Sequence, residues 1–252
     1  MNNAGVSSRI AFTLVEVIAA LAVTAVLVAI SVPAVRSVRL TADNALALTR
    51  IAQSSQLIHA HAAERHGVFP LGELDPLHTD GHGPTTTVSL PGGASVRFGW
   101  FGHAGMWNVV LRSWGEPLTP VWFASGEFHD PVLDAMRPSD FALTHAALAE
   151  PRYWTPGEAQ SAGDWRAMPI SRTRCPSTKA MLAERDDSLL QRLRPSGGAE
   201  AIPFLPRPVA FIDGHSSLEP SSRARPAVAN SLTGMQATPF VTTERGLEGS
   251  DL

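Results

Sequence analysis

Residues Ser8–Pro33 read SRIAFTLVEVIAALAVTAVLVAISVP, and this stretch decides how the rest of the chain is organised. A short polar leader ends at Ala11. An almost unbroken apolar run follows, with one acid, Glu16, near its start and one proline, Pro33, near its end. About twenty apolar residues suffice for a helix to span the hydrocarbon core of a bilayer. A cleavable secretory signal has an apolar core of only about 7–15 residues followed by a small-residue cleavage site. Here the run is longer, and no A-x-A site precedes a polar start. A plain signal anchor would account for the hydrophobicity and for nothing else.

Composition bounds what this helix carries. The chain has 252 residues, room for one anchor and one modest domain or two small ones. Its formal net charge is −3 with no large basic block, which argues against nucleic acid as a partner. The single cysteine, Cys175, excludes an intrachain disulfide framework and any multi-cysteine metal site.

The polar leader followed by AFTLVEVIAALAVTAVLVAISVP resembles the type IV prepilin signal, shared by pilins and type II secretion pseudopilins. Phe12, Thr13, Leu14, Val15 and Glu16 match the family's Phe-Thr-Leu-Ile/Val-Glu, and Pro33 falls where many pilin helices carry a proline. The resemblance implies that a prepilin peptidase cuts between Ala11 and Phe12 on the cytoplasmic side. Phe12 would then be N-methylated. The family usually has Gly before the cut, where this chain has Ala11. An acid in a spanning segment is costly and needs a partner, a neutral state or a route to the interface. Glu16 can snorkel toward the headgroups beside the positive helix terminus. In a filament, the resemblance implies that its carboxylate pairs with the amine of a neighbouring subunit's Phe12. Arg9 precedes the apolar run while Arg36 and Arg39 follow it, so charge alone does not orient the helix. A cytoplasmic leader is what the resemblance implies.

Beyond Pro33 a helical pattern continues to about His66. Small or apolar residues at Val38, Ala45, Leu48, Ala52, Ser55, Ile58 and Ala62 mark one face. Gly67 is a natural terminator and Pro70 prevents early resumption. Gly67-Val68-Phe69-Pro70 resembles the Gly-x-aromatic-Pro that ends the long helix in many pseudopilins. Residues 71–84 read as a loop. Thr85–Leu90 and Ser95–Trp100 read as two strands across a Pro-Gly-Gly turn, and Gly105–Trp114 as a short helix. Thr119–Ser125 is β-like, with Pro120 limiting it to a strand start or an edge. Residues 126–169 are expected to form an irregular insertion with a helix at Ser139–Glu150. Ile170–Glu184 reads as a strand-like run, a Pro-Ser turn and a second apolar run. Pro208–Pro220 reads as a hairpin turning at Asp213-Gly214, for which a type I′ turn is expected.

The Cys175-Pro176-Ser177 and Asp213-Gly214-His215 stretches together resemble a pseudopilin-like group with a Pro-Ser turn before one strand and an Asp-Gly-His turn after another. That group also has a His ahead of its Asp-Gly pair, where this chain has Pro203. Other constellations carry less. His59 and His61 point to different helix faces, and His59 and His66 lie two turns apart. His78, Asp80 and His82 share a loop, but no histidine spacing matches a zinc pattern. Cys175 has no activating base in the local sequence, and nucleophile-elbow, P-loop and zincin patterns are absent.

The expected architecture is α+β: a leader at 1–11, a transmembrane helix at 12–33, its amphipathic extension at 34–66, and a small antiparallel-sheet head at 67–219. A flexible tail at 220–252 completes the chain, because few large apolar residues are present there. The expected function is that of a pilin-like or pseudopilin-like filament subunit. It would reside as a single-pass protein in the bacterial inner membrane with an extracytoplasmic head. Its partners would be the prepilin peptidase/N-methyltransferase, membrane lipid, and other pilin-like subunits met through the helix. Ala11 and Phe12 would serve processing, and Glu16 and Pro33 assembly. No cofactor, catalytic residue or metal site is expected. The alternative is an extracytoplasmic binding protein or enzyme that uses the helix only as an anchor, with a site in the loops at 126–169.

Overall fold

The computed structural model describes residues 13–79, 83–124, 136–192 and 205–252. The processing pair Ala11 and Phe12, the loop residues Asp80 and His82, and Pro203 lie outside them, as does the rest of the leader. The chain divides into two compact units at Ala42 and Asp43.

Helix α1 spans Leu14–Glu64, 51 residues, and continues through Pro33. In the first unit it is exposed throughout, with Leu14 at 76% and Ile30 at 64%, and from Val17 to Val35 it carries no charged side chain on any face. A soluble helix hides such a surface; one that is apolar on every side belongs in a membrane or a bundle. It is the one helix among the described residues long and apolar enough to cross a membrane. In the second unit α1 buries Ala47, Ile51, Ser54, Ser55, Ile58 and Ala62. The expected face agrees from Ser55 onward but not before. It followed a seven-residue repeat, whereas a straight helix drifts about 20° per heptad from that repeat. The helix ends with His66 and Gly67 both at positive φ, 58° and 79°, and Gly67 N–H bonding back to the Ala62 carbonyl at 2.7 Å.

The second unit contains two antiparallel sheets. The first has order β1-β2-β3, from Asp75–Thr79, Pro84–Ser89 and Ser95–Gly99. The β2–β3 hairpin pairs Thr85 with Gly99 through Ser89 with Ser95. Strand β1 lies in the stretch expected to be loop: its Pro and Asp disfavour a strand, but pairing with β2 overrides that propensity. Helix α2, His103–Ser113, replaces the expected Gly105–Trp114 helix with nearly the same bounds.

The second sheet has order β4-β5-β6-β7: Phe141–Leu143, Ala180–Glu184, Pro206–Phe211 and Ser216–Pro220. A short helix α3, Asp186–Arg192, follows β5. The expected helix at Ser139–Glu150 is instead β4 followed by a single 3-10 turn at His145–Ala147. Its alanine-rich composition favours a helix, but β4 is needed to pair with β5, and Phe141, Leu143 and Ala146–Ala149 are buried on all sides. Thr119–Ser125 likewise holds a 3-10 turn, Pro120–Trp122, capped by the Thr119 hydroxyl. Ile170–Arg172 is also a 3-10 turn rather than a strand.

Residues 136–169 are no peripheral insertion. Phe141, Tyr153, Trp154, Trp165 and Met168 lie in the main core with Ile51, Ile58, Trp100, Phe101 and Trp107. Phe101 stands at the centre of an aromatic cluster, its ring 5.8 Å from Tyr153, 5.8 Å from Trp154 and 5.2 Å from Trp165. Such edge and stacked pairs add to the area they bury.

The segment 220–252 is packed and not a flexible tail. Phe240, Val241 and Leu247 are buried, as are Asn230, Thr242, Thr243 and Asp251. His145 N–H bonds to the Val241 carbonyl at 2.8 Å, Val228 N–H to Thr242 at 2.7 Å, and Arg245 N–H to Trp154 at 3.0 Å. Composition counted only apolar area. This segment is held instead by short polar side chains and backbone bonds, which satisfy one another once buried.

Candidate functional site

At the amino terminus of α1, Thr13 and Glu16 form a capping box. The Glu16 carboxylate accepts from Thr13 N–H at 2.8 Å and from its hydroxyl at 2.9 Å, and Glu16 N–H reaches back to the Thr13 hydroxyl at 3.3 Å. Free N–H groups at a helix start need such partners. The Thr-x-x-Glu signature was therefore readable within Phe-Thr-Leu-Val-Glu, and it gives Glu16 a local role alongside any pairing between subunits. Pro33 lies inside α1, where it removes one backbone donor without ending the helix.

The two turn motifs of the head meet in space. Asp213 N–H donates to the Pro176 carbonyl at 3.2 Å, and Ile212 N–H donates to the Lys179 carbonyl at 3.0 Å. The hairpin turn differs from the expected type I′: Gly214 has positive φ, 94°, and Asp213 does not. Gly214 N–H bonds to the Phe211 carbonyl at 3.0 Å and Phe211 N–H to His215 at 2.9 Å. This is a three-residue loop closing on a glycine bulge. His215 Nδ1 lies 2.6 Å from Asp213 Oδ1, and its ring stacks on Phe211 at 4.4 Å. Asp213 and His215 thus hold the turn together. Cys175 is exposed beside it.

Next to these turns, Lys179 and Asp251 form a fully buried ion pair, with Nζ 3.4 Å from Oδ2. Asp251 also accepts from Ala180 N–H at 2.7 Å and from the Thr243 hydroxyl. Burial pushes the Lys179 ammonium below its ordinary value and the Asp251 carboxyl above, while their mutual attraction opposes both shifts. Together with the Ala180 bond, the pair ties Asp251 to the start of β5. Reading 220–252 as flexible hid it.

A groove of about 590 Å³ lies between the sheets, with Phe98, Phe101, Met235 and Val241 as apolar wall and His145, Glu184 and Arg207 as buried polar lining. Burial lowers His145 to about 4. Its Nδ1 has no partner among the described residues. Arg207 bonds the Glu184 carbonyl at 3.1 Å and pairs with Asp186 at 2.7 Å. His103 is also lowered to about 4 by burial, opposed by its bond to the Trp100 carbonyl. Its Nε2 accepts from Gly72 N–H at 2.9 Å, which fixes its tautomer.

Among the described residues the remaining histidines do not converge. His61 stacks on Trp114 at 4.3 Å, and His78 pairs with Asp75 at 2.5 Å. Among the described residues no three His, Cys, Asp or Glu side chains are placed to hold a metal ion. No family model, curated protein or solved structure matches the chain.

Proposed function

We propose that this chain is a pilin-like or pseudopilin-like subunit, cut between Ala11 and Phe12, N-methylated on Phe12 and assembled through the apolar half of α1. The observation that carries this reading is the start of α1. It is exposed and apolar on every face, and its acid, Glu16, sits in the first turn within Phe-Thr-Leu-Val-Glu. A surface of that kind needs lipid before assembly and neighbouring helices after it. Glu16 would set register by pairing with a neighbour's terminal amine, a use for which buried polar groups are known. The protein would sit in the bacterial inner membrane with its head on the extracytoplasmic side, and it would be a substrate of the peptidase without chemistry of its own. Co-expression with and without a prepilin peptidase tests this: the chain should shorten by its leader only when the peptidase is present. Equal length in both strains contradicts it.

The groove beside His145 favours a second reading. A concave site of a few hundred cubic ångströms with convergent polar groups is the usual form of a ligand pocket. On this reading the head binds a ligand and α1 serves only as an anchor. A Glu16 variant would then keep both its place in the membrane and every head function.

A further inference from the structure

We infer that the carboxy-terminal end of the apolar segment carries a binding trough for one anionic phospholipid. This rests on the membrane reading of α1. The trough, about 420 Å³, runs along one face of the helix, with Leu27, Val28, Val32 and Val35 as its apolar walls and Arg36 and Arg39 at its end. The walls are half-exposed, from 45% at Val32 to 59% at Leu27. Arg36 and Arg39 are three apart and so share a helix face. Both are exposed, and neither guanidinium has an ion pair or hydrogen bond among the described residues.

Leu14–Val32 rises about 28 Å at about 1.5 Å per residue, close to the thickness of a hydrocarbon core. The two arginines therefore fall at headgroup depth, just past the apolar walls. One molecule supplies what both parts of the trough lack: an acyl chain for the walls and a phosphate for the guanidiniums, which bind phosphate in a forked geometry. A zwitterionic headgroup would bring its own cation toward two arginines; an anionic one would not. A second copy of the helix is the weaker occupant. The acids of α1 are Glu16, Asp43 and Glu64, and Glu16 and Glu64 lie at the two ends of the helix, far from Arg36 and Arg39 along it. A neighbour would thus offer Asp43 alone near two arginines.

The lipid also answers a problem of orientation. With a cytoplasmic leader, Arg36 and Arg39 lie on the side that the positive-inside rule disfavours. A bound phosphate offsets that charge and holds the unassembled subunit in the membrane until neighbouring helices displace it.

The test uses the full chain in lipid nanodiscs made from equal parts phosphatidylcholine and phosphatidylglycerol. Lipids retained by the protein are counted by native mass spectrometry. At about 1 kcal/mol for each of the two arginines near an anionic surface, phosphatidylglycerol should be retained in roughly thirtyfold excess. The excess should fall to near parity in Arg36→Gln/Arg39→Gln, survive in Arg36→Lys/Arg39→Lys, and be unchanged in the head variant Arg97→Gln. Equal retention of the two lipids by the wild type overturns the inference. So does an excess that persists in the double Gln variant, or a paired-chain mass in place of bound lipid. A chain that stays in solution without entering the discs refutes the membrane reading itself.

Discussion

Lowering the pH from 7 to 5 should destabilise the second unit by roughly 4 kcal/mol through two histidines alone. His103 and His145 are each held at about 4 in the folded protein, against 6.5 for the free side chain. The folded state keeps both neutral, while the unfolded chain takes up protons below about 6.5. Stability is therefore fully present above that pH. It declines as the pH falls and levels off only below about 4. For one such group, linkage gives a loss of about 2 kcal/mol between pH 7 and pH 5. Because both rings are buried, solvent screening does little to reduce this. The assay is denaturant unfolding of the full chain in detergent micelles, followed by tryptophan fluorescence at both pH values. His145→Leu should remove half of the pH-dependent loss. At pH 7 it should cost little, since Nδ1 has no partner to lose. His103→Leu should remove the other half but cost about 2 kcal/mol at pH 7, because Gly72 N–H and the Trp100 carbonyl lose their partner. A wild type that loses under about 1 kcal/mol, or a His145→Leu slope parallel to it, would refute the reasoning.

Other consequences can be checked independently. Lys179→Met leaves Asp251 buried without its cation and should cost about 3–5 kcal/mol in the same unfolding assay, whereas Lys179→Met/Asp251→Leu should be far milder. Native trypsin digestion should leave the bond after Arg245 intact, because Arg245 N–H is bonded to the Trp154 carbonyl and the next two residues, Gly246 and Leu247, are buried. Rapid release of the last residues would contradict the packed carboxy terminus. Glu16→Gln keeps a capping oxygen but loses the charge. It should stay in the membrane and be excluded from assemblies, as Glu16→Ala should. Normal assembly by the Gln variant would mean that capping is the whole role of Glu16.

The parts of the fold legible in the sequence are those set by local chemistry. Gly67 does mark the end of α1, the Pro91-Gly92-Gly93 turn does join two strands, and Asp213-Gly214 does close a hairpin. What escaped depends on distant partners. Strand β4 exists because β5 pairs with it, against an alanine-rich preference for helix. The order of residues 220–252 comes from Asp251 reaching Lys179 and Asn230 accepting from the Tyr153 hydroxyl at 2.6 Å. Composition cannot reveal such contacts. The same holds for the groove at His145, where β3 and α2 meet β5 and the carboxy-terminal segment from far along the chain. By contrast, the start of α1 was readable almost completely, since its length, apolarity and single acid are properties of consecutive residues.

The proposal that α1 begins as a processed prepilin helix is decided by the mass of the amino-terminal peptide. Protein purified from membranes of a cell containing a prepilin peptidase should yield a first peptide that begins at Phe12 and carries one methyl group. An unmethylated chain beginning at Met1 in that same cell would contradict the account and leave α1 as an ordinary anchor.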